Sequence, residues 1–488
     1  METLWTKTAA AVQRPPLYGD VQTEVAVIGG GMTGILTALL LQERGVRAVV
    51  LEAGRVGSGT TGRTTAKLTS QHGAIYAGLI ERFGREKAQQ YARANQRAVE
   101  SYARVIRQYG IDCDFEQTDA LLYAHAHEEV MRREAEAAQS LGLPASFTDR
   151  LALPLRISGA VRFTQQAQLH PLKFLYAAAD LLTVYERTPV ERIEGHDAIT
   201  PRGRVRAEKL VFACRYPFVN FPGLYFARMH QERSYVLALE NAPVPSGMYY
   251  GYEPYALSLR SFDGVTLLGG GAHRTGKNAQ GGHYEALRKA ARILFPDSRE
   301  VAHWSAQDCM TASGVPYIGR FSRKSEDFLI AAGFRKWGMS SAMAAAEILS
   351  GLICDGTHPD ADIFDPTLLS QQRPERIAAE GLQAVRGLAG RVLHGRAGLP
   401  QELAIGQGGA AVVDGRQMGV YRASETEYYA VELACPHLGC RLQWNAEEKS
   451  WDCPCHGSRF DYKGERLSLP AQTALPACRL PNRPEAGA

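Results

Sequence analysis

The stretch from residue 435 to residue 460 carries side chains of the types that bind metals, at short spacings. It contains four cysteines and two histidines, which are Cys435, His437, Cys440, Cys453, Cys455 and His456. Two thiolates and two imidazoles on two short loops can close a four-ligand metal site. On spacing alone, a structural zinc site fits this pattern as well as an iron centre does. The sequence therefore predicts a metal centre near its C-terminal end.

The order of the residues within the two loops is more specific than their spacing. The loops read CPHLGC and CPCHGS, and in this they resemble the Rieske family of [2Fe–2S] domains. A zinc finger has no use for two additional cysteines or for the second loop's Pro-Cys-His-Gly-Ser run. The resemblance implies a disulfide between Cys440 and Cys455. It also implies four iron ligands, with the cysteines on one iron and the histidines on the other: Cys435, Cys453, His437 and His456.

A glycine-rich turn lies near the N-terminus, in the run EVAVIGGGMTG at residues 24–34. An apolar, β-branched stretch leads into Gly29-x-Gly31-x-x-Gly34, a helical pattern follows over 35–44, and the next predicted strand leads to Glu52. Glycines in such a turn let the backbone approach a pyrophosphate at the helix N-terminus, where the helix dipole favours an anion. An acid after the second strand binds ribose hydroxyls. The sequence therefore predicts a dinucleotide-binding fold.

The residues after Glu52 indicate which dinucleotide is bound. Residues 55–67 are mostly small and include Arg63 and Lys67, which suits a loop wrapped around a long cofactor. Here, and in scattered pieces over about residues 20–365, the chain resembles FAD-dependent oxidoreductases of the D-amino-acid oxidase, sarcosine oxidase and glycine oxidase type. The resemblance implies these contacts with FAD: Gly29, Gly31, Met32, Thr33, Gly34, Glu52, Arg63, Thr64, Lys67, Val190, Gly333, Gly338 and Met339.

A helix is predicted from about Ser341 to Ile353, directly after two of these implied contacts. The resemblance implies that the N-terminus of this helix points at the flavin ring and stabilises negative charge there. The alternative is that the helix is simply an alanine-rich packing element.

The expected fold is an α/β FAD-binding Rossmann-like domain with an interleaved α+β substrate (cap) domain, followed by a small all-β Rieske domain. The predicted boundaries are 1–365 for the FAD-dependent oxidoreductase, 366–400 for a basic helical linker and 401–488 for the Rieske domain. Residues 75–150 are predicted to be helical, and the charge runs within them are expected to form solvated helix faces.

Candidate contacts with the substrate come from the region that the resemblance assigns to the cap and to the flavin pocket. Each of them has a structural alternative: a surface arginine, a histidine satisfied by its neighbours, or an aromatic side chain in the core. His72 is a further candidate, as a support for the flavin. The candidate substrate contacts are Tyr255, Arg260, His273, Tyr317 and Trp337.

The composition excludes several classes of function. The chain has 488 residues and a net charge of +4, which gives no reason to expect nucleic acid as a partner. No apolar run reaches the length of a membrane span, and the N-terminus lacks an apolar signal segment, so we expect a cytoplasmic protein. The run from Gly271 to Asn278 nearly matches a P-loop, but Asn278 stands where Ser or Thr must bind Mg²⁺, which argues against ATP.

Together these observations predict a flavoenzyme that oxidises a small amine or amino acid by hydride transfer to flavin N5. Its electrons would pass through the Rieske [2Fe–2S] cluster to an external acceptor. The alternatives are an electron-transfer protein that serves a partner enzyme, including a reductase fed by NAD(P)H, and a redox sensor. A ring-hydroxylating oxygenase is disfavoured, because the short stretch after His456 leaves no room for its iron site.

Overall fold

The computed structural model describes residues 2–278, 280–368, 375 and 402–480. These residues form two compact units. The larger unit comprises Met1–Arg215, Ser234–Ala272 and Tyr284–Gln372, and the smaller unit comprises Tyr216–Arg233, His273–His283 and Arg373–Ala488. The predicted helical linker, 366–400, lies almost entirely outside the described residues.

The division into units differs from the predicted boundary at residue 365 in one respect. Two segments from the middle of the chain, Tyr216–Arg233 and His273–His283, group with the C-terminal region and not with the sequence around them. Both segments donate hydrogen bonds to the second metal-binding loop, as described below.

The helices among the described residues, in chain order, are α1 (Leu4–Thr8), α2 (Met32–Glu43), α3 (Tyr76–Tyr109), α4 (Glu128–Ser140), α5 (Pro171–Asp180), α6 (His283–Leu294) and α7 (Gly338–Cys354). The strands of the larger unit are β1 (Val21–Ile28), β2 (Ala48–Leu51), β3 (Lys67–Leu68), β4 (Glu116–Ala124), β5 (Ala145–Thr148), β6 (Gly159–Gln168), β7 (Thr183–Tyr185), β8 (Arg192–Glu194), β9 (Asp197–Thr200), β10 (Gly203–Arg215), β11 (Met229–Glu240), β12 (Met248–Gly251), β13 (Ser258–Phe262), β14 (Val265–Arg274), β15 (Arg299–Thr311), β16 (Tyr317–Ser322) and β17 (Ser325–Ala332). Of these, β11 and β14 overlap the two segments that group with the smaller unit.

The first sheet of the larger unit has the order β16-β17-β10-β1-β2-β7, with β9 added beside β10 and β8 beside β9. Its central pairs, β1 with β2, β1 with β10 and β10 with β17, are parallel. Parallel strands need crossover connections, and α2 supplies the one between β1 and β2. The carboxyl end of β1 therefore meets the start of α2, which places the glycine-rich turn at the usual binding edge of such a sheet.

The second sheet of the larger unit has the order β15-β11-β14-β13-β12-β4-β6-β3, with β5 beside β6. It corresponds to the predicted cap and is mixed, since β12 pairs parallel to β4 and antiparallel to β13. The prediction of helices throughout residues 75–150 is wrong at β4 and β5. The second half of β4, with the sequence ALLYA, is buried and takes cross-strand partners from β6 and β12.

The smaller unit contains two four-stranded antiparallel sheets. One has the order β18 (Gly408–Val413), β19 (Arg416–Arg422), β20 (Tyr428–Val431) and β25 (Ala477–Leu480). The other has the order β21 (Gln443–Asn445), β22 (Ser450–Asp452), β23 (Arg459–Asp461) and β24 (Arg466–Ser468). The metal-binding loops flank β21 and β22, so the small sheet fixes both loops in one place.

Candidate cofactor sites

The glycine-rich turn has no space for side chains at two of its positions. A Cβ on Gly34 would lie 1.9 Å from the carbonyl oxygen of Gly29, and a Cβ on Gly29 would lie 2.6 Å from that of Ala213. Gly29 also has a φ of 119°, which side chains rarely tolerate. The turn is therefore a cradle built from bare backbone, and α2 begins directly after it with no side-chain cap at Gly31. This is the geometry that a pyrophosphate requires.

Glu52 stands at the end of β2 and organises the backbone around the turn. Its carboxylate accepts hydrogen bonds from the N–H groups of Gly30 and Gly54, each at 2.7 Å. Its own carbonyl accepts from the N–H of Thr188 at 2.9 Å, which brings the segment leading to the buried Val190 alongside. The residues predicted to contact the adenosine half of FAD therefore lie close together.

The loop after Glu52 is held by four side chains from three distant parts of the larger unit. Five successive backbone carbonyls, from residue 62 to residue 66, each accept a hydrogen bond from a side chain. The pairs are Gly62 with Thr3 Oγ1 (2.9 Å), Arg63 with Trp304 Nε1 (2.9 Å), Thr64 with Trp5 Nε1 (2.7 Å), and Thr65 and Ala66 with Arg260 Nη1 (2.8 and 2.9 Å). We call these four side chains the carbonyl clamp. The same loop reaches the start of α2, where Thr61 Oγ1 accepts from the N–H of Met32 at 3.1 Å.

Arg260 is one of the donors of the carbonyl clamp, and its role as a substrate contact stays a prediction. Its side chain is 1% exposed, and its Nη1 also donates to the carbonyl of Leu169 at 3.3 Å. Burial lowers the pKa of the Arg260 guanidinium to about 9. The surface-arginine alternative is wrong, and these contacts favour a role in positioning the loop.

Lys67 directly follows the clamped loop and is buried. Its ammonium group donates hydrogen bonds to a carbonyl and a hydroxyl, neither of which carries a negative charge. Its Nζ donates to the carbonyl of Tyr249 at 2.7 Å and to the hydroxyl of Ser258. Burial lowers the pKa of Lys67 to about 7, and the positive charge of Arg260 acts in the same direction. Lys67 thus changes its charge near neutral pH, which is rare for a lysine.

Trp337, directly before α7, belongs to a cluster of aromatic rings. It stacks on His72 with 5.0 Å between ring centroids and an interplanar angle of 13°, and the ring of Tyr250 meets it edge-on at 5.0 Å. His72 is fixed in turn by Tyr91 Oη at 2.6 Å and Ser340 Oγ at 2.9 Å. Burial lowers the pKa of His72 to about 3, so the ring under Trp337 is neutral.

The remaining candidate substrate contacts do not join this cluster. Tyr255 is 74% exposed and its ring lies near that of His125. His273 belongs to the smaller unit, where it stacks on His283 with 4.6 Å between centroids. Tyr317 is buried at the start of β16. As substrate contacts these residues stay predictions.

The two metal-binding loops share one backbone design. In the first, the N–H of Cys435 donates to the carbonyl of Cys440 at 2.9 Å, and the N–H of Gly439 donates back to Cys435 at 2.8 Å. In the second, the N–H of Cys453 donates to Ser458 at 2.8 Å, and the N–H of Gly457 donates back to Cys453 at 2.9 Å. Gly439 and Gly457 have φ values of 77° and 79°, so each turn depends on glycine.

The loops bring the predicted ligand atoms together. The Nδ1 atoms of His437 and His456 lie 3.3 Å apart, and the thiols of Cys435 and Cys453 hydrogen-bond to each other. Both cysteines are buried, and so is His456. A pair of thiols and a pair of imidazole Nδ1 atoms, carried by the same two loops, are a donor set that fits a [2Fe–2S] cluster.

The predicted disulfide is not formed in the structure. Cys440 and Cys455 are free thiols, although their Sγ atoms and that of Cys453 all lie within 4.8 Å of one another. The pairing of Cys440 with Cys455 stays a prediction. A third segment, at Ala471, also contacts the second loop, since the N–H of Ala471 donates to Ser458 Oγ at 3.0 Å.

Comparison with known proteins assigns both parts of the chain. A family model described as FAD dependent oxidoreductase matches residues 24–352, and one described as Rieske [2Fe-2S] domain matches residues 396–479. The chain therefore belongs to the family of FAD dependent oxidoreductases and carries a C-terminal Rieske domain. The predicted fold class and both predicted cofactors, FAD and a [2Fe–2S] cluster, are confirmed, whereas the individual contact residues stay predictions.

Relatives support this assignment at two levels. The putative Rieske 2Fe-2S iron-sulfur protein YhfW of Bacillus subtilis is 35% identical over 496 residues, covering 96% of each chain. Glycine oxidase of Pseudomonas aeruginosa is 26% identical over 366 residues, covering 70% of this chain and 96% of that protein. The crystal structure of glycine oxidase from Geobacillus kaustophilus matches with a TM-score of 0.60 at 21% identity, covering 71% of this chain and 99% of that one. The last comparison shows the fold.

Among the described residues, none of the helices combines the length and the apolar character that crossing a bilayer requires.

Proposed function

We propose that this flavin oxidoreductase oxidises a small amine or amino acid and passes the electrons through its cluster to an external acceptor. When bound, FAD supplies a hydride acceptor for the C–H bond beside the amine nitrogen, and the cluster supplies a one-electron carrier. The observation that carries the proposal is that one chain belongs to the FAD dependent oxidoreductases and also carries a Rieske domain. Relatives of this chain include proteins named glycine oxidase and gamma-glutamylputrescine oxidoreductase, and both names refer to a compound with an amino group.

Within this proposal, the cluster of rings around Trp337 forms an apolar wall of the substrate site. Because His72 is neutral, the wall presents no positive charge to the nitrogen of the substrate. Lys67, whose pKa lies at about 7, is our candidate for the group that accepts the proton an ammonium substrate must lose before oxidation. Arg260 acts as a positioning residue through the carbonyls of Thr65 and Ala66.

The experiment is an anaerobic panel of amines and amino acids, with loss of the oxidised flavin absorbance as the readout. We expect bleaching by at least one primary or secondary amine that carries a hydrogen on the carbon beside nitrogen. The matched control is the same compound with every hydrogen on the carbons beside nitrogen replaced by methyl, which must leave the flavin oxidised. Bleaching by NADH and by none of the amines would contradict the proposal and favour a reductase.

A further inference from the structure

The two segments Tyr216–Arg233 and His273–His283, which we call the collar, contact the loops of the cluster. They come from the middle of the chain, yet they belong to the same compact unit as the C-terminal sheets. They are joined to each other, because the N–H of Thr275 donates to the carbonyl of Gln231 at 2.9 Å. The collar therefore belongs to the cluster site by its contacts. In the sequence, by contrast, the Rieske pattern lies wholly within the last ninety or so residues.

The collar supplies hydrogen-bond donors to the backbone of the second cluster loop. Gln231 Nε2 donates to the carbonyls of His456 at 2.7 Å and Leu469 at 3.1 Å. Arg274 donates through Nε to the carbonyl of Pro454 and through Nη2 to that of Cys455, both at 3.0 Å. Three successive carbonyls, from residue 454 to residue 456, are thus held by two side chains. Charge-assisted bonds from arginine to two acceptors also fix orientation.

The collar also encloses His456. This ligand is 3% exposed, and the rings of Tyr216 and Phe226 meet it edge-on with centroids 6.4 and 6.0 Å away. A Cβ on Gly276 would lie 2.5 Å from the backbone nitrogen of Pro454, so the collar backbone approaches the loop directly. His437 is only half-buried.

Asn220 provides the contact with His437. Its Oδ1 lies 3.0 Å from Nε2 of His437, on the side of the ring away from the other histidine. Since the two Nδ1 atoms face each other, Nδ1 is the nitrogen available to iron and Nε2 carries the proton. Nε2 therefore donates to Asn220. An acceptor on the outer N–H of a metal-bound imidazole fixes the ring and makes it a stronger electron donor to the metal.

We propose that Asn220, Gln231 and Arg274 are positioning residues of the cluster site. Gln231 and Arg274 hold the loop that carries Cys453 and His456, and Asn220 holds the outer nitrogen of His437 and lowers the reduction potential of the cluster. This inference rests on the ligand set in the proposed function. It assigns to the middle of the chain a share of the cluster site that the Rieske motif does not contain.

The test for Asn220 is the midpoint potential of the cluster in the full-length protein. Asn220→Ala removes the acceptor and must raise the potential, whereas Asn220→Asp keeps an acceptor, adds negative charge and must lower it. The matched control is Arg479→Met, which breaks the ion pair between Arg479, on β25, and Glu427. A merely structural role for Asn220 would not shift the two variants in opposite directions. If both variants keep the parent's potential, or shift it the same way, the assignment of Asn220 is wrong.

The test for Gln231 and Arg274 is the iron and acid-labile sulfide per chain, together with the EPR spectrum of the reduced cluster. Gln231→Leu and Arg274→Met must lose cluster, or broaden its spectrum, while the FAD content stays at the parent's level. Arg274→Lys keeps the charge but not the two-nitrogen geometry, and must restore only part of the content. Full cluster content and a parental spectrum in all three variants would overturn the role of the collar. A parent chain that binds no cluster would instead refute the proposed function.

Discussion

His72 shows how a single buried residue links the candidate substrate site to pH. Its pKa of about 3 lies well below the ordinary 6.5, because burial disfavours the charged ring. Between these two values the unfolded chain binds a proton that the folded chain does not, so the free energy of unfolding falls as the pH drops. The stability that this pKa shift contributes is fully present above the ordinary pKa of 6.5, and it is lost as the pH falls towards the folded-state pKa of about 3.

We therefore predict that His72→Gln reduces the dependence of stability on pH. The variant loses the stacking on Trp337 and is less stable than the parent near neutral pH, but the difference shrinks by up to roughly 1.4 kcal/mol per pH unit below about pH 6.5. The measurement is the unfolding midpoint of both FAD-loaded proteins in denaturant, from near neutral pH to about pH 5. A parent–variant difference that stays constant over this range would show that folding does not lower the pKa of His72.

At the scale of elements, the short helix α1 places a hydrogen-bond donor against the loop that follows Glu52. Trp5, within it, donates to the carbonyl of Thr64 in the loop that we assign to FAD. We predict that Trp5→Phe keeps the buried ring but weakens FAD binding about tenfold, because one carbonyl of the carbonyl clamp loses its donor. The measurement is the dissociation constant of FAD by flavin fluorescence. Trp451→Phe is the matched control, since Trp451 Nε1 has no hydrogen-bond partner among the described residues, and its FAD affinity must equal the parent's.

The elements that could be predicted from the sequence are those whose signals are local. The glycine-rich turn and the two CPHLGC and CPCHGS loops each occupy a few consecutive residues, so their chemistry is visible without the fold. The predicted helix at 341–353 is real but begins earlier, at Gly338, because no cap residue marks its start. The strand β4 was hidden within a helical pattern, because its partners β6 and β12 lie far along the chain.

The carbonyl clamp and the collar could not be predicted, for a related reason. Trp5, Trp304 and Arg260 are separated by long stretches of sequence. Each donates to a backbone carbonyl, which every residue type has, so the accepting positions form no recognisable sequence pattern. Asn220 and Gln231 likewise contact a motif more than two hundred residues away. Arg260 was correctly singled out as unusual, but spacing could not distinguish a substrate contact from a buried support of the loop.

At the scale of the whole molecule, the chain combines an FAD-dependent oxidoreductase with a Rieske domain, and this pairing defines what has to be tested. FAD takes two electrons from an organic substrate, and the cluster takes one. An enzyme that reoxidises its flavin through such a cluster has a route for electrons that does not depend on oxygen. The central claim is that the two cofactors of this chain exchange electrons.

The most direct test is anaerobic reduction of the full-length protein by an amine that bleaches its flavin, followed by EPR of the cluster. We predict that the signal of the reduced cluster develops after substrate is added, and that Cys453→Ser, which removes a predicted ligand, abolishes the signal but not the bleaching. A chemical reductant added to the parent shows in parallel that the cluster can be reduced. A bleached flavin beside a cluster that stays oxidised, but that the chemical reductant readily reduces, would contradict the account.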